Sequence, residues 1–322
     1  MEKNNLTLPT KEIKLGNNIH NYQEIEIKEY KSSLRENITA SLSILARYAK
    51  ARWLIFNFPW ATFVALMIAY NGAVDIPIAV LAVSSSYLIL LATYTYNDAQ
   101  DLEVDRINDP NRPLVSGRAT KDHIIRLTYM LNATALIMAG LINLYVFAIA
   151  SILVVLGVLY SHPKTSFKDK FPYKTLVTSF GAMLASFLGG FVTDDISINA
   201  IYAGIAFFAF CTMLALLGDI SDIKGDKANG RRTLPIIIGQ RNTALVIHAA
   251  LISMILITIW FYSINYMSVI TMGLAVTVCV ISIIKLLSLF KISDVKKIKK
   301  LRPPMRILSF AFQLVLLIGL FI

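Results

Sequence analysis

The sequence is poor in charge and in cysteine. Only 16% of its 322 residues are charged, whereas 56% are hydrophobic, and a soluble globular domain carries about 25% charged residues. This composition excludes an ordinary soluble domain and predicts an integral membrane protein. The two cysteines, Cys211 and Cys279, both lie in apolar segments. They are therefore predicted to be buried thiols, which argues against a disulfide framework or a cysteine metal site.

The amino-terminal forty residues contain no apolar leader. They are polar and lack the short apolar core and small-residue cleavage site of a signal peptide, so we expect the first span to act as its own insertion signal. Residues 1–50 are predicted to form a cytoplasmic tail, and residues 51–322 the membrane domain. The second part of the tail has helical spacing of apolar residues with basic ones between, which predicts an amphipathic helix on the membrane surface. The alternative is a tail with no role beyond topology.

Nine apolar segments are long enough to cross a membrane, which takes about 20 residues. They cover roughly residues 52–71, 76–96, 121–139, 141–160, 173–193, 197–218, 241–264, 267–290 and 304–322. With these spans, all 31 Lys and Arg residues fall on one side of the membrane or at that end of a helix. The positive-inside rule makes this side cytoplasmic, with the amino terminus inside and Ile322 outside. The net charge of +11 is then a topology signal, and nucleic acid is not an expected partner.

Two acidic triplets repeat the same spacing of three and then four residues. They consist of Asp98, Asp101 and Asp105, and of Asp219, Asp222 and Asp226. On a helix these positions are predicted to share one face, and each triplet lies at the cytoplasmic end of a span, the second and the sixth. Because four spans separate the triplets, we predict an all-α polytopic protein with two related four-helix halves plus a ninth helix.

Carboxylates this close to low-dielectric surroundings repel one another unless a cation is bound. Magnesium prefers oxygen ligands and is commonly held by one or two carboxylates together with substrate phosphates. The triplets therefore predict magnesium ions around a diphosphate, since acidic groups at membrane depth are costly and usually functional. The alternative is that they are solvated loop acids paired with nearby basic residues. Of those basic residues, Lys168 and Arg112 are predicted to bind the diphosphate, and most of the others to set topology.

Three motifs together resemble the UbiA superfamily of intramembrane prenyltransferases. "NDAQDLEVDRINDPNRPLVSGR" is similar to the first signature of that family, "DISDIKGDKANGRRTLP" to the second, and "LYSHPKTSFK" to its Tyr-Ser-x-Pro segment. The resemblance covers about residues 45–322. It implies a helical membrane bundle, the UbiA-like bundle of nine transmembrane helices, that transfers a prenyl group from a prenyl diphosphate to an acceptor with Mg²⁺.

The resemblance also implies roles for individual residues. Asn97 and the first triplet would hold one metal and the diphosphate, and the second triplet would hold the other metal or activate the acceptor. Lys168 would contact diphosphate oxygens, and Tyr160 would lie near the carbocation. Asp98, Asp101, Asp219, Asp222, Lys168 and Tyr160 are the predicted catalytic residues. Further predicted substrate-binding residues are Asn97, Arg112, Lys164, Arg52 and Asn57.

Two features depart from the family pattern. Many members have Arg-Pro near the start of the first span, whereas here Arg52 lies five residues before Asn57 and Pro59 is displaced. Arg52 is either the equivalent cation or a boundary charge. Asn57 is a lone amide in an apolar run, and it makes either a helix–helix hydrogen bond or a ligand contact. Gly218 occupies a position where some lipid-type members have Lys, which weakens an assignment to the glyceryl-phosphate branch. An aromatic or quinone-precursor acceptor is therefore ranked first, and a lipid or polyene acceptor second.

Other functions stay open. A UbiA-like terpene cyclase, in which the cation is quenched without an acceptor, would carry much the same acidic signatures. A transporter of ions or phosphate is a further alternative, although transporter acids usually lie near the bilayer midplane, and a pure binding role is another. The expected partners are a prenyl diphosphate, a hydrophobic or aromatic acceptor and membrane lipid.

Overall fold

The computed structural model describes residues 38–39, 41–46, 56–102, 114–115, 119–193, 195–228, 230–292 and 294–322. Within these ranges the chain is helical and contains no strand, which confirms the all-α prediction. Ten α-helices follow one another: α1 (Asn57–Ala69), α2 (Ile76–Gln100), α3 (Lys121–Gly140), α4 (Leu144–Ser161), α5 (Tyr173–Gly190), α6 (Ile198–Ala228), α7 (Leu234–Ser263), α8 (Val269–Leu286), α9 (Val295–Lys299) and α10 (Arg302–Ile318).

Side-chain caps explain where several helices begin. Asp75 accepts a hydrogen bond from the backbone N–H of Ile78 at the start of α2, and Asn143 accepts one from Val146 at the start of α4. These caps satisfy amide groups that the first helical turn leaves without partners. Inside α7, Gly239 has φ 81° and ψ 162°, which interrupts the helix near residue 241, where the sequence predicts the seventh span to begin.

Each of the nine predicted spans coincides with one helix, but the helices differ in length and hydropathy, which decide whether a helix can cross a membrane. Six segments of the described chain are long and apolar enough: Ile76–Gln100, Leu144–Ser161, Ile198–Ala228, Leu234–Ser263, Val269–Phe290 and Val295–Ile318. Helix α1 has 13 residues, α3 carries charged groups in its first two turns, and α5 is rich in Ser, Thr and Gly. A count of nine crossings therefore stays a prediction.

The helix contacts repeat with a shift of four helices. In the first half α1 packs on α2, α2 on α3 and α3 on α4; in the second half α5 packs on α6, α6 on α7 and α7 on α8. Helix α5 also packs against α2 and α4, just as α10 packs against α6 and α8. This arrangement agrees with two four-helix halves followed by one further helix.

Close backbone contact joins the two halves at α1 and α5. A Cβ atom added at Gly189 would lie 1.8 Å from the carbonyl oxygen of Thr62, so only glycine allows this approach. The hydroxyl of Thr62 in turn lies 2.7 Å from the carbonyl oxygen of Ala185. Small residues at helix interfaces permit such approach where lipid supplies no hydrophobic driving force. The interface therefore brings the first four helices of the bundle into direct contact with the second four.

The tail is described only in part. The helical residues 41–46 place Ile44 in an apolar cluster with Leu91 of α2 and Ile124 of α3, and the hydroxyl of Ser41 lies 3.0 Å from Nε2 of His123. This piece of the tail therefore rests on α2 and α3. Placement of the tail helix on the membrane surface stays a prediction.

Candidate functional site

The first acidic cluster forms a buried network at the end of α2. The ammonium of Lys168, whose residue is only 8% exposed, lies 2.5 Å from Asp101 Oδ1 and donates to Asn97 Oδ1 at 3.2 Å. Asn97 donates from Nδ2 to Asp101 Oδ2 at 3.1 Å and accepts a hydrogen bond from the hydroxyl of Ser161 at the end of α4. The structure thus brings Lys168 together with Asn97 and Asp101 of the first signature, and the lysine contacts the carboxylate of Asp101 directly.

The second acidic cluster is organised around Lys174 at the start of α5. Its ammonium lies 2.7 Å from Asp219 Oδ1 and 3.2 Å from Asp226 Oδ2. Both aspartates are nearly inaccessible, at 3% and 4% exposure. The second carboxylate oxygen of Asp219 is also buried, and it has no hydrogen-bond partner in the described part of the chain.

Asp222 departs from the prediction that all three acids of this triplet share one face. Its carboxylate is 43% exposed and lies 3.6 Å from the guanidinium of Arg302 and 3.7 Å from the ammonium of Lys299. Residues seven apart on a helix differ in direction by about 20°, whereas residues three apart differ by about 60°. Asp219 and Asp226 therefore point together to α5, and Asp222 points to α9 and α10.

Arg231 connects the two clusters. Its guanidinium contacts Asp169 Oδ1 at 2.8 Å and Asp226 Oδ1 at 3.3 Å, and Asp101 is within its electrostatic range. Burial alone would lower the pKa of Arg231, but the carboxylates of Asp169 and Asp226 outweigh this and raise it above its ordinary value. Arg231 therefore contacts the second cluster directly and lies within electrostatic range of the first, while Lys168 contacts Asp101 and Lys174 contacts Asp219.

An apolar cavity opens beside these clusters, between α1, α2, α4 and α5. Its volume is about 170 Å³, and its lining includes Tyr94, Leu153, Tyr160 and Gly181. Tyr160 has Lys174, Asp219 and Tyr94 as electrostatic neighbours. The polar end of the cavity is therefore next to the second cluster, and its walls carry aromatic rings whose faces can stabilise a nearby cation.

The other predicted site residues are placed differently. Asp98 is partly buried on α2 next to Asn97, whereas Lys164 is exposed. Asn57 is buried and accepts a hydrogen bond at 3.0 Å from Nε2 of Gln313 on α10, the helix–helix alternative considered for it above. Its role in binding substrate stays a prediction. Asp105, Arg112 and Arg52 lie outside the described residues.

Two cations were not singled out by sequence reasoning. Lys174 and Arg302 stand at the starts of α5 and α10, far along the chain from the aspartates that they contact. Neither belongs to a recognised motif, and a basic residue at the end of a span is indistinguishable from a topology charge. Only the packing of α5 and α10 against α6 brings them to the acids.

The donor atoms present fit Mg²⁺ held jointly with a substrate. Among the described residues no three His, Cys, Asp or Glu side chains converge as a metal cage. Magnesium does not need such a cage, since one or two carboxylates plus substrate phosphates commonly hold it. The buried Asp219 oxygen without a protein partner is a carboxylate ligand of the kind that Mg²⁺ prefers.

Two acidic clusters lie at one end of an all-helical, strongly apolar bundle, beside an aromatic-lined apolar cavity. These features define a multi-pass membrane protein with a charged site at one end. Comparison with known proteins agrees with this class. The profile of the UbiA prenyltransferase family matches residues 58–311, and the chain belongs to that family.

Individual relatives extend this result. The digeranylgeranylglyceryl phosphate synthase of Sulfolobus acidocaldarius is 33% identical over 159 residues, which cover 49% of this chain and 57% of that protein. The aligned part thus spans little more than half of the relative's length. A solved structure described as digeranylgeranylglyceryl phosphate synthase in membranes has a TM-score of 0.75 at 20% identity, covering 88% of this chain and 99% of that one.

A second solved structure carries ligands. The UbiA homologue from Archaeoglobus fulgidus bound to GPP and Mg²⁺ has a TM-score of 0.62 at 18% identity, with 88% of this chain and 99% of that chain covered. At these identities the two structures establish a shared fold, and the resemblance stated from the motifs is confirmed at the level of the family.

Proposed function

We propose that this protein is a magnesium-dependent intramembrane prenyltransferase. It transfers a prenyl group from a prenyl diphosphate to a lipid acceptor. The observation that carries the proposal is the convergence of the two acidic clusters, through Arg231, beside the cavity lined by Tyr94 and Tyr160. Such a site offers metal ligands and cations for a diphosphate, and an apolar space for the attached hydrocarbon.

The residues have distinct tasks in this reaction. The bond between C1 of the prenyl chain and the diphosphate oxygen breaks, and its electron pair leaves with the diphosphate. Lys168, Lys174 and Arg231 stabilise the negative charge that builds on this leaving group. A new bond forms between C1 and an acceptor oxygen, whose proton passes to a carboxylate of the second cluster. The apolar cavity keeps water from C1 until that bond has formed.

Magnesium would be held by Asp98 and Asp101 on one side and by Asp219 and Asp226 on the other. When bound, it supplies Lewis-acid stabilisation of the departing diphosphate. The support in this chain is the buried Asp219 oxygen that lacks a protein partner. The structure of the Archaeoglobus fulgidus homologue bound to GPP and Mg²⁺ is consistent with this role.

The acceptor we propose is a prenylated glyceryl phosphate. The aromatic acceptor that the sequence analysis ranks first is not confirmed, and the name of the Sulfolobus acidocaldarius relative favours a glycerophosphate lipid. The doubt raised by Gly218 also has a structural answer. A Cβ atom added there would lie 3.4 Å from Nη2 of Arg302, so α10 delivers a cation to the place where some lipid-type members have Lys.

The membrane arrangement is part of the proposal. We place all nine long helices, α1 to α8 and α10, across the membrane, with the amino terminus and both acidic clusters on the cytoplasmic side and Ile322 outside. The ends of α2, α4 and α6 and the starts of α5 and α10 then meet at one surface, which is consistent with the contacts between Asn97, Ser161 and Lys168 and between Lys174 and Asp219.

The test of the proposed function is product formation by the purified protein in detergent. With Mg²⁺, geranylgeranyl diphosphate and geranylgeranylglyceryl phosphate, we expect diphosphate release together with an ether-linked product, and neither when EDTA removes the metal. Release that needs an aromatic acceptor instead would restore the first-ranked alternative. Release without any acceptor, together with a cyclic product, would identify a cyclase. No release with any donor would contradict the enzyme assignment.

Filling the cavity should change which donor is accepted. Gly181 lines the cavity, and the nearest atom to a Cβ added there is 4.0 Å away, on Leu153, so a side chain fits without a backbone clash. In Gly181→Leu we expect the KM for geranylgeranyl diphosphate to rise about tenfold, while the KM for geranyl diphosphate changes little. Steady-state kinetics with the two donors would measure this difference.

Gly273→Leu is the matched control for this substitution. Gly273 is exposed on α8, and nothing lies within 4 Å of a Cβ built there, so both KM values should stay unchanged. An equal loss with the short and the long donor in Gly181→Leu would mean that the cavity does not hold the far part of the prenyl chain.

A further inference from the structure

Helix α10 carries a row of polar side chains on the face that it turns toward the bundle. Arg302, Arg306, Ser309 and Gln313 are separated by four, three and four residues, a spacing that places them on one side of a helix. Ser309 and Gln313 are buried, whereas Ile307, on the other side of the helix, is 59% exposed. The row therefore points into the protein, and its two charged members stand at the same end as the acidic clusters.

Arg306 differs from the other basic residues of this region. Lys168, Lys174, Arg231 and Arg302 each contact an aspartate. The guanidinium of Arg306 is partly buried, and it makes no ion pair within the chain segments that the structure describes. Its electrostatic neighbours are Arg302 and the Tyr94 hydroxyl. Tyr94 is among the residues that line the apolar cavity, and neither of these electrostatic neighbours is a carboxylate that would balance the charge of Arg306.

Arg302 stands one helical turn before Arg306. One of its nitrogens, Nη1, donates to the hydroxyl of Ser221 at 3.2 Å and lies 3.6 Å from Asp222, so its position is fixed by α6. Two like charges four residues apart destabilise a helix, and the single carboxylate of Asp222 offsets only one of them. An anionic ligand between the two guanidinium groups would offset the other.

We propose that Arg302 and Arg306 form a binding site for the phosphate group of the acceptor lipid. This inference rests on the proposed function and names the residues that recognise its acceptor. Two forked guanidinium groups match the oxygens of a phosphate better than those of a neutral aromatic ring. In such an acceptor the glyceryl hydroxyl is only a few bonds away from the phosphate. A phosphate bound at this site would therefore leave the hydroxyl on the side of Tyr94 and the prenyl cavity.

The phosphate of the acceptor is a better fit to this site than the diphosphate of the donor. The donor already has Lys168, Lys174 and Arg231 around the convergent carboxylates, and these cations come from the loops and helices on the α5 side. Arg306 belongs to α10, and Tyr94 is an electrostatic neighbour of both Arg306 and Tyr160. A pair of guanidinium groups on α10, separate from Lys168, Lys174 and Arg231, fits a second phosphate-bearing substrate.

The test compares Arg306→Gln with the wild-type protein. The acceptors are geranylgeranylglyceryl phosphate and geranylgeranylglycerol, which lacks the phosphate. Loss of a charge-assisted hydrogen bond to the ligand should raise the KM for the phosphorylated acceptor about 10- to 100-fold, while the KM for geranylgeranyl diphosphate changes less than about twofold. Turnover of geranylgeranylglycerol should not change, because that acceptor has no phosphate to lose. Arg306→Lys keeps the charge but lacks the forked guanidinium. Its KM for the phosphorylated acceptor should lie between those of the wild-type protein and Arg306→Gln.

Arg241→Gln is the matched control, since Arg241 is an exposed arginine near the start of α7 and the change of charge is the same. The affinity of each protein for geranylgeranylglyceryl phosphate, measured by equilibrium binding without a donor, decides the inference even if no turnover is found. If wild-type protein turns over neither acceptor, the proposed function fails. If wild-type protein binds the phosphorylated acceptor and Arg306→Gln binds it equally well, or loses donor affinity instead, the acceptor-phosphate site is wrong.

Discussion

Replacing Asp219 by asparagine is expected to lower kcat by about 10³-fold. The change removes one negative charge from a carboxylate that is 3% exposed and that offers its second oxygen to no protein donor. A preorganised charge in a water-excluded site contributes far more than the same charge in water. Asparagine keeps the size of the side chain and can still accept a hydrogen bond from Lys174, which lies 2.7 Å from Asp219 Oδ1. The loss should therefore fall on catalysis and leave the folded protein intact.

The measurement is diphosphate release at saturating donor and acceptor, over a series of Mg²⁺ concentrations. Asp219→Asn should also need a higher Mg²⁺ concentration for its half-maximal rate, since one of the proposed Mg²⁺ ligands has lost its charge. Asp195→Asn makes the same change at an exposed position beyond the opposite end of the bundle and should keep full activity. Wild-type rates in Asp219→Asn would show that the second cluster is an ordinary group of ion-paired acids.

Lys168→Gln should reduce both turnover and stability. Lys168 is buried against Asp101, so removing its ammonium leaves a carboxylate without its partner in a poorly solvated place. Breaking one side of a buried pair costs about 3 kcal/mol or more of folding free energy. Because Lys168 is also proposed to stabilise the leaving diphosphate, kcat should fall by at least about 10²-fold.

The double variant Asp101→Asn with Lys168→Gln separates the two effects. Neutralising both members removes the unpaired charge, so the thermal unfolding temperature in detergent should recover most of what Lys168→Gln lost. Turnover should not recover, because both proposed catalytic groups are now missing and the effects of groups that act together are not additive. Lys170→Gln, at an exposed lysine two residues away, should change neither quantity. Recovery of turnover in the double variant would mean that the pair has only a structural role.

Much of the fold follows from local patterns in the chain. Apolar stretches of helical length, interrupted by polar links, are sufficient to predict where the long helices lie, because the bilayer demands hydrogen-bonded apolar segments of set length. Even the break at Gly239 agrees with the predicted start of the seventh span. The acidic triplets predict a functional site, because charged side chains at the end of an apolar helix are costly and are usually functional.

The three acids of the second triplet occupy different parts of one side of their helix. The spacing predicts that Asp219, Asp222 and Asp226 share a face, but residues seven apart differ in direction by only about 20°, whereas residues three apart differ by about 60°. Asp222 instead turns to α10 and binds Arg302. Helical geometry by itself could have separated Asp222 from the other two, although it could not have named its partner.

The sequence by itself determined the class of protein, the positions of the helices, and the acidic and lysine motifs. Each of these depends only on residues that are close together along the chain. Only the tertiary structure decided which cations meet which acids. Lys174 reaches Asp219 because α5 packs on α6, and Arg302 reaches Asp222 because α10 packs on α6. Arg306 comes within electrostatic range of Tyr94 for the same kind of reason. Such pairings depend on how helices distant in sequence pack together, and no local spacing of residues encodes that packing.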